Sequence, residues 1–204
     1  MSLLLNEGKI KNLKIKNRIV MPPMCMYKSD DSGELKSFHM NHYSSRAIGG
    51  VGLIIVEATA IEPRGRISNN DLGLWENSQI IKHKKLNKKL HAYGAKTAIQ
   101  LAHAGRKSVV NDSTPIAPSS IAFSENKPFK KPNEATLKDI KKIKEKFVKS
   151  AIRAKKAKYD AIELHAAHGY FLCEFLSPYT NKRKDEYGGS LDKRCKLVLE
   201  IADE

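Results

Sequence analysis

The sequence predicts an α/β protein with a parallel sheet, and three observations lead to that prediction. Four apolar runs typical of buried strands alternate with segments whose apolar residues recur at helical spacing. Strands that are joined by helical crossovers lie parallel to one another. Candidate functional side chains follow the carboxyl end of each strand, as they do in a TIM (β/α)8 barrel. We therefore predict that the chain holds the first four β/α units of such a barrel.

The first predicted strand lies within residues 17–27 and stops at Pro22 and Pro23, because proline lacks the N–H that a strand ladder needs. The alternative fold, an open flavodoxin-like sheet, would have a glycine-rich phosphate-binding loop at this point. The two prolines provide no such loop. Cys25 and Tyr27 follow just beyond the end of the strand.

A helix, a strand and a second helix come next. Residues 38–48 have helical spacing and stop at a Gly-Gly pair. Residues 51–61 are a continuous apolar run, the pattern of a parallel strand that is buried on both faces. Residues 80–93 form a lysine-rich helix, on which we expect His83 and His91 to be solvated.

The third predicted strand lies within residues 96–105, with Gln100 and His103 near its exit. Residues 107–133 are rich in Pro, Ser and Asn and form a loop long enough to suggest a functional excursion over a pocket. Thr136 then caps a long helix. Its apolar positions step by three and four: Ile140, Ile143, Phe147, Ala151 and Ala154.

The fourth strand, within residues 159–170, carries the strongest functional signal. It begins as an apolar run and ends in His165, His168 and Tyr170, and Gly169 permits a tight bend there. Titratable side chains at the exit of a buried strand are typical of an α/β active site. Taken alone, the two histidines could equally be core or supporting residues, or half of a metal site. A last helix is predicted from residue 190 onwards.

The composition narrows the class of protein. A hydrophobic content of 41% in 204 residues is enough for one packed domain, residues 1–204. No apolar run approaches the roughly 18 residues of a membrane span, and the start of the chain does not resemble a signal peptide, so we expect a cytoplasmic protein without a membrane partner. Cys25, Cys173 and Cys195 are too widely spaced for a disulfide framework or a metal site, and we expect no metal.

The formal net charge of +15 raises the question of a polyanion partner. Most of the excess is lysine within residues 82–89 and 138–158, where it alternates with apolar positions at helical spacing. Such lysines cover solvated helix faces, and arginine, which forms the bidentate contacts to bases and phosphates, is scarce. We therefore expect no nucleic-acid partner.

Six stretches of the sequence together form a recognisable pattern. They are residues 23–27, 46–54, 57–59, 99–107 and 165–170, and 175–178 taken with 181–190. In this order they resemble one family, the old yellow enzymes, which are flavin-dependent ene-reductases, and within it the bacterial subgroup that has a cysteine beside the flavin. A single such motif would be weak, but together they cover most of the chain.

The resemblance implies a TIM barrel that holds FMN at its carboxyl face and uses NADPH or NADH as the reductant. It implies that Cys25 lies near the reactive edge of the flavin and tunes its redox potential. The residues implied to bind FMN are Pro22, Pro23, Met24, Cys25, Ala58 and Gln100. Those implied to bind a small-molecule enone are Tyr27, His165, His168 and Tyr170.

The reaction implied by the resemblance is reduction of the C=C bond of an α,β-unsaturated carbonyl compound. His165 and His168 would donate hydrogen bonds to the carbonyl oxygen while hydride passes from flavin N5 to the β-carbon. Tyr170 would deliver the proton to the α-carbon. Alternative interpretations remain for the neighbouring residues: Cys25 as a small buried hydrophobe, Glu57 as a structural hydrogen-bond acceptor, and His103 and Lys107 as loop anchors.

Members of this family are expected to continue through four more strands. Residues 1–204 would then be the amino-terminal half of a barrel, either as a fragment of a longer enzyme or as a half-barrel that acts as an assembly or binding module. An open edge on the fourth strand would expose unpaired backbone groups, so we expect a homo-oligomer.

Overall fold

Strands and helices alternate along the computed structural model, which describes residues 2–204. The strands are β1 Gly8–Ile10, β2 Leu13–Ile15, β3 Val20–Met21, β4 Leu53–Ala60, β5 Leu72–Gly73, β6 Lys96–Ala102, β7 Ile116–Ala117, β8 Asn133–Glu134 and β9 Ala161–Leu164. The α-helices are α1 Ser37–Ile48, α2 Ile80–Ala92, α3 Leu137–Lys156, α4 Phe171–Leu176 and α5 Leu191–Asp203. No helix in this described range is long and apolar enough to cross a membrane.

The main sheet is parallel, with the strand order β3-β4-β6-β9 and the short β5 paired to β4. The order of these four strands across the sheet is also their order along the chain, so each crossover steps the sheet in the same direction. Helices α1, α2 and α3 form these crossovers. Because the strands run in parallel, their carboxyl ends meet at one edge of the sheet. The predicted parallel α/β arrangement of four units is confirmed.

The core lies between the sheet and these helices. Strand β4 is buried on both faces over nearly its whole length, which explains its unbroken apolar sequence. Helix α3 begins where the Thr136 side chain accepts a hydrogen bond from the Asp139 N–H, and it buries Ile140, Ile143 and Phe147 against the sheet. Each such side chain stabilises the fold by about 1.5–3 kcal/mol.

Five short strands, in three ladders, were absent from the sequence prediction, since these ladders are too short to leave a periodic pattern. The hairpin β1–β2 turns at Lys11, which has φ of 50°, and β5 adds two residues beside the end of β4. Strands β7 and β8 pair within the long loop and tie its two ends together. The third strand ends at Ala102, short of residue 105, because the chain turns into a 3₁₀ helix from Gly105.

The expectation that His83 is solvated is wrong. Its side chain is fully buried, and Nδ1 lies 2.8 Å from the hydroxyl of Tyr159. His83 shares one face of α2 with Leu86, Asn87 and Leu90, which are also buried. A histidine at helical spacing with two leucines therefore belongs to the core face. His91, about two turns further along α2, is partly exposed.

Helix α4 buries the carboxyl group of Glu174, which forms no ion pair within residues 2–204. Glu174 is fully buried; its Oε1 accepts a hydrogen bond from the Arg106 N–H at 3.0 Å, and its Oε2 has no partner among residues 2–204. Burial raises the pKa of Glu174 from 4.5 to about 8. Between pH 4.5 and about pH 8, Glu174 is therefore protonated in the folded protein and ionised in the unfolded chain.

This carboxyl group makes stability depend on pH. The stabilisation is fully present below pH 4.5 and is lost as the pH rises through about 8, a change of roughly 3–5 kcal/mol. We expect Glu174→Gln, which cannot ionise, to reduce the loss of stability between pH 5 and pH 8.5. Urea unfolding at both pH values measures the free energy of unfolding of each variant. Glu145→Gln, at an exposed position on α3, is the control. An unchanged pH dependence in Glu174→Gln would contradict the assignment.

Candidate active site

A cleft of about 600 Å³ opens at the carboxyl edge of the sheet, between the segment that follows β3 and the turn that follows β9. Strand β6 forms its floor. Two features decide its chemistry, a group of rings on one side and a thiol-bearing segment on the other. The lining residues are Pro22, Pro23, Cys25, Gln100, Glu163, Leu164, His165, Ala166, Ala167, His168 and Tyr170.

The two imidazoles and the phenol lie together on one wall. The rings of His165 and His168 are 5.1 Å apart and nearly perpendicular, and the ring of Tyr170 is 5.0 Å from that of His165. The backbone N–H of His165 donates to the carbonyl of Leu101, which continues the ladder between β9 and β6. The sheet thus fixes the position of the first ring.

The second ring is placed by a tight turn. His168 has φ of 58° and Gly169 has φ of 70°, so the chain reverses at once after the strand. The Lys107 ammonium donates to the His168 carbonyl at 2.7 Å and lies 5.3 Å from the centre of the Tyr170 ring. Lys107 thereby connects the turn to the long loop, where it also lies 4.5 Å from the Phe123 ring. The interpretation of Lys107 as a loop anchor agrees with these contacts.

His165 is a neutral hydrogen-bond donor. Its side chain is buried, and burial together with the neighbouring His168 lowers its pKa from 6.5 to about 4. Nδ1 accepts a hydrogen bond from the Ala167 N–H at 3.4 Å, which assigns the proton of the neutral ring to Nε2. The ring therefore has an N–H to offer a ligand without carrying a charge.

Tyr170 keeps its proton at neutral pH. Burial, followed by the nearby Cys25 and Asp71, raises the pKa of its phenol above 10.0. The phenol is a hydrogen-bond donor that can also give up a proton to a strongly basic carbon. Its neighbour His165 is 5% exposed, so that imidazole acts with little competing water, while Tyr170 itself is half-buried.

Cys25 is a protonated thiol. Burial raises its pKa to about 12, with smaller contributions from the charges of Asp71 and Glu57. The Ala58 backbone and the Tyr27 hydroxyl lie beside the sulfur and only partly offset this effect. A group with this pKa is a poor nucleophile at neutral pH, which leaves it a role as a polar, neutral wall of the cleft.

Gln100 occupies the floor of the cleft. Its amide donates from Nε2 to Oε1 of Glu163 at 2.5 Å, and its oxygen accepts no hydrogen bond within the described range 2–204. Gln100 and Glu163 are paired directly across the ladder of β6 and β9. Sequence analysis missed Glu163, although aligning the two predicted strands in register would have indicated it.

The structure brings most of the predicted site residues to this cleft, but not all of them in the same way. Ala58 is buried beneath the Cys25 thiol and does not line the cleft. Met24 and Tyr27 are 50% and 44% exposed and lie outside the lining. The predicted residues that line the cleft are Pro22, Pro23, Cys25, Gln100, His165, His168 and Tyr170.

Metal binding gains no geometric support. No group of three or more His, Cys, Asp or Glu side chains within residues 2–204 is arranged to hold an ion. His165 and His168 have no third ligand beside them, and the alternative of half a metal site has nothing to complete it in that range.

The arrangement of strands, helices and cleft is that of a TIM-barrel oxidoreductase. Morphinone reductase superposes with a TM-score of 0.90 at 32% identity, over 98% of this chain and 57% of that one. The Old Yellow Enzyme from a Pichia species superposes with a TM-score of 0.91 at 30% identity, over 98% and 55%. The chain is thus an α/β parallel-sheet part of a TIM barrel, as predicted.

Sequence comparison places the chain in a particular family. The model of the NADH:flavin oxidoreductase / NADH oxidase family matches residues 7–204, and the chain belongs to this family. It is 52% identical over 194 residues to an NADPH dehydrogenase of Clostridium acetobutylicum and 53% identical over 196 residues to one of Halalkalibacterium halodurans. These alignments cover 95% and 96% of this chain. The resemblance to the old yellow enzyme family is confirmed.

The matched relatives are longer proteins. The chain spans 57% of the Clostridium protein and 57% of the Halalkalibacterium protein, a little over half of each.

Proposed function

We propose that the protein is an FMN-dependent ene-reductase that reduces the C=C bond of α,β-unsaturated carbonyl compounds and takes its electrons from NADPH or NADH. The observation that carries the proposal is the arrangement of two perpendicular imidazoles beside a phenol on one wall of the cleft. The name of the relatives, NADPH dehydrogenase, favours NADPH as the reductant.

The cleft suits the isoalloxazine ring of FMN. A flat aromatic ring with a polar edge needs apolar walls and a few directed hydrogen-bonding groups. Pro22, Pro23 and Leu164 supply apolar walls, and the unpaired oxygen of Gln100 is an acceptor for an N–H on the polar edge. FMN bound here would supply the hydride. Met24, Cys25 and Ala58 complete the set of residues proposed to hold the cofactor.

His165 and His168 would bind the carbonyl oxygen of the substrate. The neutral imidazole of His165 can donate a hydrogen bond from Nε2, and a hydrogen bond from either ring strengthens as negative charge develops on the oxygen. The ladder and the turn after β9 fix the backbone that carries both rings, which limits the rearrangement that the donors need during the reaction. Tyr27, at the rim, would contact the remainder of the substrate.

Tyr170 would supply the proton to the α-carbon. Its raised pKa keeps the phenol protonated until the carbon becomes basic enough to take the proton. Cys25 would stand beside the cofactor as a neutral thiol, which suits tuning of a redox potential better than covalent catalysis.

Cofactor binding tests this function directly. The purified full-length protein is expected to be yellow or to take up FMN from solution, and NADPH or NADH should bleach its flavin absorbance under anaerobic conditions. Addition of cyclohexenone should restore that absorbance with formation of the saturated ketone. A full-length protein that takes up no FMN would overturn the proposal.

The open side of β9 favours a second candidate function, a half-barrel that acts as an assembly or binding module. Within residues 2–204, β9 pairs with β6 on one side only, and Ile162 on this strand is 40% exposed. A second copy that covers this edge would give the expected homo-oligomer. Flavin uptake and enone turnover by residues 1–204 alone would exclude this candidate.

A further inference from the structure

We propose that Glu57 is a positioning residue that tethers the segment carrying Cys25, defined here as residues 22–28, to the strand β4. The tether is a single hydrogen bond, from the backbone N–H of Met26 to Oε2 of Glu57, at 2.9 Å. Its consequence for the cofactor rests on the proposed function, whereas its effect on the Cys25 thiol does not.

The Cys25 segment has few other attachments. It contains no regular secondary structure, and Pro22 and Pro23 have no N–H to donate. Outside the strand ladders of residues 2–204, the Met26 N–H makes the only backbone hydrogen bond of this segment. The next such bond comes from Ser29, to the Asn70 carbonyl. One acceptor thus holds the middle of a segment that runs from the end of β3 to Ser29.

The segment also needs holding. Tyr27, one residue after Met26, has φ of 52°, a left-handed conformation that costs a non-glycine residue free energy. Without a fixed neighbour, the chain can relax toward a commoner conformation and carry Cys25 with it. Strand β4 contacts the segment at two neighbouring residues. Glu57 accepts from the Met26 N–H, and the backbone of Ala58 lies beside the Cys25 thiol.

Glu57 is itself held rigidly. It is 1% exposed, and the Tyr43 hydroxyl both donates to its Oε1 at 3.1 Å and accepts from its backbone N–H at 3.0 Å. His39 Nε2 lies 3.5 Å from the same oxygen. The His39 Nδ1 accepts from the Lys36 N–H, so the proton of the neutral ring is on Nε2, the nitrogen next to Glu57. Helix α1 therefore fixes the carboxyl group that fixes the segment.

The acceptor oxygen, and not the charge, is the feature that matters. Burial, the largest effect, raises the pKa of Glu57 to about 7, so near neutral pH both protonation states are populated. A carboxylic acid and a carboxylate each keep an oxygen that can accept from Met26. An amide does so too, and Glu57→Gln should preserve the tether while Glu57→Ala removes it.

Alkylation of Cys25 in the full-length protein measures the tether. Wild type, Glu57→Gln, Glu57→Ala and Val56→Ala are treated with iodoacetamide under native conditions, and modification of each cysteine is followed by peptide mass spectrometry. We expect Glu57→Ala to speed the labelling of Cys25 about tenfold, the effect of losing one hydrogen bond, and Glu57→Gln to stay within about threefold of wild type. Val56→Ala, a core truncation on the same strand, should leave Cys25 as protected as in wild type.

Cys173 and Cys195 serve as internal references for general loosening of the fold. Equal acceleration of all three cysteines in Glu57→Ala, unchanged labelling of Cys25, or equal labelling in Glu57→Gln and Glu57→Ala would each overturn the proposal. If Glu57→Ala does not fold, Glu57→Leu fills the space of the side chain and removes the acceptor, while the Tyr43 hydroxyl can still accept from the N–H of residue 57, and the same tenfold increase is expected.

Cofactor measurements separate this proposal from the proposed function. In the FMN-loaded protein, Glu57→Ala should shift the midpoint potential and weaken FMN binding, while Glu57→Gln should retain most of both. If the protein binds no FMN, the proposed function fails, and the labelling of Cys25 still decides the tether.

Discussion

Replacement of His165 or His168 by Ala is expected to lower enone turnover by about a hundredfold while FMN stays bound and the fold stays intact. Each ring would lose a hydrogen bond that strengthens as charge develops on the substrate oxygen, and loss of one such donor costs about that factor. The backbone contacts that form the wall, from His165 N–H to Leu101 and from Lys107 to the His168 carbonyl, do not involve the rings and should persist. Measurements of kcat, flavin content and Tm test this expectation.

A phenol that binds between the two rings provides an equilibrium test of the same assignment. The phenol oxygen takes the place of the substrate oxygen, so its affinity should fall in both variants. His91→Ala, a partly exposed histidine on α2 that contacts Asp160, is the matched control and should leave phenol affinity unchanged. Unfolding or flavin loss in the His165 and His168 variants with intact phenol affinity would show instead that these rings support the scaffold.

The parts of the fold and site that the sequence predicted are those that depend on local pattern. The apolar run of β4, the Thr136 cap of α3 and the titratable residues after β9 each follow from residues close together in the chain. The parallel crossover rule then brings the strand exits to one edge without any further information. Most of the predicted site residues accordingly line one cleft.

The contacts that were missed join residues distant in the chain. Glu57 and Met26 are 31 positions apart, and Gln100 and Glu163 are 63 apart. A polar residue inside an apolar run is expected to have a hydrogen-bond partner, but which residue is the partner depends on strand register and on the packing of α1. His83 is another example, since its hydrogen bond to Tyr159 spans 76 positions. The basic sequence of its own helix indicated a solvated side chain and gave no sign of this partner.

Replacement of Tyr170 by Phe is expected to slow the enone-dependent step by a factor of about 100 to 10,000, the range for removal of a positioned general acid. Reduction of the bound flavin by NADPH should proceed at the wild-type rate, because no proton from the phenol is needed before an enone is present. In the wild type, the raised pKa of Tyr170 should keep the phenol protonated, and the enone-dependent step independent of its ionisation, around neutral pH. Stopped-flow measurement of the two half-reactions separates these expectations.

Tyr179→Phe is the matched control. Tyr179 is close to Tyr170 in the sequence, but it is 75% exposed and does not line the cleft. It should leave both half-reactions unchanged. The phenyl ring of Tyr170→Phe keeps the edge contact with His165, so substrate binding should be weakened little and the loss should fall on the rate constant. A variant in which both half-reactions slow equally would indicate that Tyr170 shapes the cleft, and a variant with an unchanged enone-dependent step would assign the proton to another donor.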